Sequence, residues 1–232
     1  MSAASGMDVI DKHTGEVTGT VPVATREDVA GATAAAKAAF PAYSELPAHK
    51  RSKILSRVAA VLGARQEELA TLICREAGKA WKHSTIEVAR AIETFTFAAE
   101  EAKRIHGEPV PLDASTAGEN RIGFYVRTPV GVVAAITPFN FPLNLAAHKV
   151  APALAAGNTM VLKPAEETPL TAVKLGEILL EAGVPPGVFN LVHGEGPTVG
   201  EWLVTDPVPA KVTFTGSPPV GAGSRPSPGS SA

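Results

Sequence analysis

A chain of 232 residues, 45% apolar and 19% charged, has the make-up of a globular protein with one large domain or two small ones. Its formal net charge of −2 gives no electrostatic reason to expect nucleic acid or an anionic membrane as partner. No apolar run reaches the roughly 18 residues of a spanning helix, and the first residues carry neither the basic nor the apolar segment of a secretory signal, so the cytoplasm is the default expectation.

Residues 8–24 read as short extended pieces around a turn at His13-Thr14-Gly15. Helical patterning follows over Arg26–Phe40, with Thr25 placed as an N-cap, then over His49–Leu62, Gln66–Glu76 and Ser84–Ile105. In the last of these, Ile86, Ala89, Arg90, Glu93, Phe97 and Glu100 mix an apolar face with a charged one. The single cysteine, Cys74, excludes an intrachain disulfide and sits among Leu69, Leu72 and Ile73 at helical spacing, as a small half-buried packing residue would. None of the six histidines has a second ligand at metal-binding spacing, so no metal site is expected. From Gly107 to Arg127 two extended pieces flank a polar turn, which reads as a protruding β-hairpin.

A new regime starts at Val130. Apolar runs (VGVVAAIT, TMVLKP, VFNLVHG, KVTFTG) alternate with helical segments in the order β-α-β-α-β-α-β. Continuous apolar strands alternating with helices imply a parallel sheet covered on both faces, the α/β Rossmann-like, doubly wound class, here incomplete and preceded by N-terminal helices and the hairpin. The chain divides into 1–106 as the N-terminal helical part, 107–129 as the hairpin, 130–217 as the Rossmann-like core and 218–232 as a disordered tail. In that tail Pro218, Pro219, Pro226 and Pro228 are expected to break any helix.

Ligands of open parallel sheets bind beyond the carboxyl ends of the strands, so the residues there are the candidates. After the first strand, Asn140 in TPFNFP could aim an amide N–H at a developing oxyanion, or could simply be a turn residue between two prolines. After the second, Lys163 and Glu166 could hold a ribose, or form a solvated charge pair at a helix start. After the third, Gly194, Gly196 and Gly200 allow close backbone approach, although their G-x-G-x-x-x-G spacing is not the dinucleotide fingerprint. After the fourth, Phe214, Thr215, Gly216 and Ser217 form a small turn suited to a pyrophosphate, or an ordinary strand-to-helix turn.

Taken together and in order, TPVGVVAAITPFNFPLNLAAHKVAPALAAGNTMVLKPAEETPL through VFNLVHGEG and VTFTGS closely resemble the aldehyde dehydrogenase superfamily, over essentially residues 8–217. The resemblance implies NAD(P)-dependent oxidation of an aldehyde to a carboxylic acid. Asn140 would be the side-chain half of the oxyanion hole. Ile136 and Thr137 would line the nicotinamide side, with Phe139 where many members have Trp. Lys163 and Glu166 would hold the adenosine ribose, and Gly196, Pro197 and Gly200 would pack against the adenine. Phe214 to Ser217 would close over the pyrophosphate, with Val220 beside the adenine. A carboxylate at Glu166 favours NAD over NADP by repelling a 2′-phosphate. The hairpin would belong to an oligomerisation domain, consistent with a homo-oligomer, and the PFNFPLNLAAHK variant is similar to branches acting on small hydroxylated or charged aldehydes. Family members are roughly twice this length and carry the nucleophilic Cys and the base Glu after FTGS. Here the chain ends first, so a truncated chain inactive by itself is expected. Cys74 matches no family nucleophile.

Overall fold

In the computed structural model, residues 6–223 are described. The centre of the fold is a four-stranded, all-parallel sheet built from β5 (Val132–Ile136), β6 (Thr159–Lys163), β7 (Phe189–Leu191) and β8 (Lys211–Phe214), in the spatial order β7-β6-β5-β8. Register runs Val132 opposite Thr159 to Ile136 opposite Lys163, and Val133 opposite Lys211 to Ile136 opposite Phe214, so three strands end level. Side chains alternate between faces. Val133, Ala135, Met160 and Leu162 join one apolar cluster, while Val132, Ala134 and Val161 join the other. Burial on both faces explains why these strands read as unbroken apolar runs.

The first face is covered by α5 (Asn144–Ala155) and α6 (Leu170–Glu181), backed by α2 (Ala48–Ala64) and α4 (Trp81–Glu101), with α3 (Gln66–Ala77) alongside. The second is covered by α1 (Arg26–Ser44) and the short α7 (Glu201–Thr205), through Val29, Ala36 and Leu203. This is the doubly wound arrangement expected. Two antiparallel ribbons lie outside it: β1 (Gly6–Ile10) with β2 (Val17–Pro22), and β3 (Glu108–Val110) with β4 (Gly123–Tyr125). Among the described residues no helix is long and apolar enough to cross a membrane.

Local chemistry sets the helix starts. Thr25 caps α1 in a reciprocal box: Asp28 N–H donates to Thr25 Oγ1 (3.2 Å) and Thr25 N–H to Asp28 Oδ2 (2.9 Å). Helices α5 and α6 have no cap from their own flanking side chains. Remote glutamates supply them. Glu87 of α4 accepts the N–H groups of Leu143 (2.9 Å) and Asn144 (3.2 Å), and Glu76 of α3 accepts those of Leu170 (2.8 Å) and Thr171 (2.9 Å) together with the Thr171 hydroxyl. Both side chains are essentially excluded from solvent. They satisfy donors that a helix cannot satisfy internally, at the positive end of its dipole.

Two sequence expectations need correction. The buried face of α4 is Ser84, Glu87, Val88, Ala91, Phe95 and Ala98, while Ile86 and Phe97 are exposed. Phe95 and Val88 pack into the core from this face, with Ala91, Ala98 and Ala99 at the close approaches to neighbouring helices. Residues 218–223 are not a disordered start of a tail: Pro218–Gly223 form a helical turn, α8, with Gly221 N–H donating to Ser217 O (3.1 Å). Proline is compatible with a first helical turn because its missing N–H would have no intrahelical partner there. The rest of the expected tail, 224–232, lies outside the described residues.

Burial pushes the Glu76 carboxyl up from 4.5 to about 7, against the Thr171 and Leu170 hydrogen bonds, and the nearby Glu87 adds to the rise. The folded chain therefore keeps this proton over a window, 4.5 to about 7, in which the unfolded chain has released it. The stabilisation is complete below that window and lost as pH rises through it. His193, held neutral down to about 4 by its burial, contributes a slope of opposite sign, which cancels against a variant that retains it. Relative to Glu76→Gln, the wild-type urea midpoint is expected to fall as pH rises from about 5 to about 8. A pH-independent difference would show that Glu76 does not titrate in this range.

Candidate functional site

The parallel ladder runs one residue past the strands before the chain turns away: Thr137 N–H donates to Lys163 O (3.2 Å) and Thr215 N–H to Ile136 O (3.1 Å). Beyond that point four loops diverge and leave a cleft of about 610 Å³ at the carboxyl ends of the strands. This lies within the range of small-molecule sites and where an open parallel sheet places its ligand. Ile136, Thr137, Lys163, Glu166, Gly196, Pro197, Phe214, Thr215, Gly216, Ser217 and Val220, expected from four separate stretches of sequence, all line it.

Its polar centre is an ion pair. The Lys163 ammonium, 2% exposed, donates to Glu166 Oε2 (3.1 Å) and to its neighbour's carbonyl, Pro164 O (3.1 Å). Burial pushes the Glu166 carboxyl up, but its own backbone N–H, the Lys163 charge and the Gly196 N–H at 3.5 Å outweigh this and hold it below the usual carboxylate range. Glu166 is thus a fixed anion, partly open to solvent, beside a buried cation: a pair suited to hydroxyl groups that both donate and accept. His193, buried beneath the third loop, is kept neutral by its burial and by Lys163, and its Nδ1 has no hydrogen-bond partner among the described residues.

Small residues shape the walls. Gly194 has φ +143°, and a Cβ there would lie 2.5 Å from Val199 Cγ2, so both backbone and packing require glycine. At Gly216 a Cβ would collide with the Phe214 ring. Gly196 faces open space. A π-type turn, Gly196–Gly200, runs directly into α7, and Glu201, Val204 and Thr205 reach the cleft from that helix. These three were not among the expected cleft residues, although their i, i+3, i+4 spacing puts them on one face. Pro138 and Ala165 also line the cleft.

Three expected residues are not in its lining. Gly200 is buried behind the floor, where a Cβ would lie 3.7 Å from both Ile136 Cδ1 and Lys163 Cδ; it backs the lysine stem rather than facing a ligand. Phe139 and Asn140 are exposed, on the loop that leaves β5. Asn140 is followed by Phe141, whose ring lies 3.6 Å beneath the Lys79 ammonium. A second concavity of about 760 Å³ opens between the β1–β2 turn and the α3–α4 junction, away from the strand ends. Cys74 lies there, its Sγ 3.3 Å from Ser84 Oγ. Among the described residues no group of three or more His, Cys, Asp or Glu is gathered as metal ligands would be.

A family model described as the aldehyde dehydrogenase family matches residues 1–223. The chain is 48% identical over 220 residues to a 3-sulfolactaldehyde dehydrogenase of Priestia megaterium, covering 95% of this chain and 46% of that protein. It is 45% identical over 208 residues to a mitochondrial succinate-semialdehyde dehydrogenase of Arabidopsis thaliana, covering 90% and 39% respectively. A solved aldehyde dehydrogenase of Physcomitrella patens, in complex with the reaction product succinate, superposes with a TM-score of 0.92 at 42% identity, over 97% of this chain and 47% of that one. The chain thus spans about half the length of the relatives it matches. Other solved relatives are complexes with NADP or with NAD.

The glycine geometry gives a direct check. Gly194→Ala is expected to destabilise the fold by about 2–3 kcal/mol through left-handed strain and the Val199 clash, measured by urea denaturation. Gly196→Ala, which meets open space, is expected to change stability by less than about 1 kcal/mol. Equal effects would contradict the wall geometry.

Proposed function

This chain belongs to the aldehyde dehydrogenase family of oxidoreductases, and on that footing we propose that its strand-end cleft is the dinucleotide-binding part of an NAD-dependent enzyme that oxidises an aldehyde to a carboxylic acid. The observation that carries the reading is the convergence of four separate loops on one cleft centred on the Lys163–Glu166 pair.

The residues present fit such a cofactor. Lys163 and Glu166 would hold the adenosine ribose, one donating and the other accepting. Gly196 and Pro197 offer a surface without projecting side chains for the adenine, with Val220 beside it. Thr215, Gly216 and Ser217 would meet the pyrophosphate, and Ile136 and Thr137 the nicotinamide side. When bound, the dinucleotide supplies a hydride acceptor. Glu166, held ionised, disfavours a 2′-phosphate, which supports NAD over NADP.

Asn140 would donate its amide N–H to the carbonyl oxygen as negative charge develops there, with Phe139 beside it. A preorganised donor of this kind contributes about 3–4 kcal/mol to such reactions. Small anionic aldehydes are the favoured substrates. Arg90 lies 5.9 Å from the Phe141 ring, which puts a cation beside the residue that follows Asn140. The names of the relatives, acting on sulfolactaldehyde and succinate semialdehyde, agree. The β3–β4 ribbon would serve oligomerisation, since Ile122, Phe124 and Val126 are all exposed on or beside it. A cytoplasmic setting suits the reading.

The 232-residue chain itself would bind without turning over, because Cys74 lies in the other concavity, hydrogen bonded to Ser84. Calorimetric titration with NAD, and an aldehyde panel followed at the NADH absorbance, test this together. Saturable NAD binding is expected, weakened at least about tenfold in Lys163→Ala, with a narrowed NAD/NADP preference in Glu166→Gln and no absorbance change. Absence of binding would contradict the cofactor reading, and turnover would contradict the exclusion of Cys74.

A further inference from the structure

The Asn140 loop is not held by its own neighbours. Phe141, immediately after Asn140, lies under the Lys79 ammonium at 3.6 Å, and Lys79 donates to Glu87 Oε2 at 2.5 Å. The other oxygen of the same carboxylate, Oε1, accepts the N–H groups of Leu143 and Asn144, three and four residues after Asn140. The Glu87 side chain is fully buried, and that of Lys79 is 15% exposed. Phe141 O in turn accepts Leu145 N–H (3.0 Å), closing the first turn of α5. One carboxylate therefore fixes the loop twice, once through the backbone at the start of α5 and once through a cation seated on the aromatic ring next to Asn140.

We propose that Glu87, acting through Lys79 and Phe141, is the positioning residue for Asn140. The proposal rests on the reading of Asn140 as an oxyanion donor, and it supplies what that reading lacks: a reason for an exposed amide to keep one direction. An unpaired buried carboxylate would be costly, and a bare helix start could be met by any short polar side chain. A lysine that is at once the ion-pair partner of the cap and the cover of the Phe141 ring joins the helix start to the residue beside Asn140. A cap needs no such link. Glu76 shows the difference, since it caps α6 without an ion-pair partner among the described residues.

The test compares Glu87→Ala, Glu87→Gln, Lys79→Met and the control Glu76→Ala in the 232-residue chain. The readouts are the nuclear magnetic resonance signals of the Asn140 side-chain amide and the Phe141 ring, and amide exchange at Leu143 and Asn144. Glu87→Ala is expected to speed exchange at both amides at least about tenfold and to shift and broaden the Asn140 signal. Glu87→Gln keeps an acceptor oxygen and should restore slow exchange. It should share with Lys79→Met the altered Phe141 and Asn140 signals, because both lose the ion pair. Glu76→Ala should leave those two signals in place. If the Asn140 signal is unmoved in folded Lys79→Met and Glu87→Gln, or moves equally in Glu76→Ala, the proposal fails. Should Glu87→Ala not fold, Lys79→Met and Glu87→Gln decide alone. NAD titration of the same samples is independent: failure of wild type to bind would remove the functional reading, while the loop measurement would still judge the clamp.

Discussion

The arrangement depends on two carboxylates that cross from one layer of the molecule to another. Helices α5 and α6 follow strands β5 and β6, and neither begins with a side chain able to cap it. Their first N–H groups are buried and would be left without partners, at about 1–3 kcal/mol each. Glu87, 56 residues before Leu143, and Glu76, 94 residues before Leu170, fill those positions from the N-terminal helices. The N-terminal helical part is therefore more than a cover for the sheet. It supplies the acceptors for the first N–H groups of both crossover helices.

The two caps differ in their electrostatics. Glu87 is paired with Lys79, so burial of its charge is compensated. Glu76 has only hydrogen bonds, and burial pushes its carboxyl up to about 7. The paired cap lies under the loop bearing Asn140. The unpaired cap lies under α6, which follows the loop that carries Glu166 after β6 ends at Lys163. Both loops open on the end of the sheet where the cleft lies, so the reacting and cofactor-holding ends of the proposed site are tied to α4 and α3 respectively. On either side of them, after the outer strands β7 and β8, Gly194 and Gly216 let the third and fourth loops fold back without side chains in the way.

Much of this was legible in the sequence, for identifiable reasons. Strands buried on both faces leave an unmistakable run of apolar residues, and α1 announces its start with Thr25 and Asp28. Most cleft residues could be read because they end a strand or lie in the loop that follows one. What was not legible depends on contacts distant in sequence. Glu76 and Glu87 occupy positions on the apolar stripes of their helices, spaced from Ile73 and from Ser84 and Ala91 as core residues would be. A charged residue at such a position needs a buried donor, but nothing local says which one. The buried face of α4 was misassigned because both faces carry large apolar residues, Phe95 and Val88 inside and Ile86 and Phe97 outside, so apolar periodicity alone does not choose between them. Pro218 and Pro219 signalled a break where they in fact begin a turn of helix, and Gly200 looked like a cleft residue because Gly196, in the same glycine-rich stretch, is one.

We propose that the four loops at the strand ends, two of them leading into helices fixed by these caps, form one dinucleotide site. Hydrogen–deuterium exchange of the chain with and without NAD tests it most directly, because it locates the ligand without requiring turnover. Slowed exchange is expected in the segments around Thr137, Glu166, Gly196 and Gly216, with the β1–β2 turn and the α3–α4 junction unchanged. Protection confined to that turn and junction, around the larger concavity, would place the ligand elsewhere and contradict it.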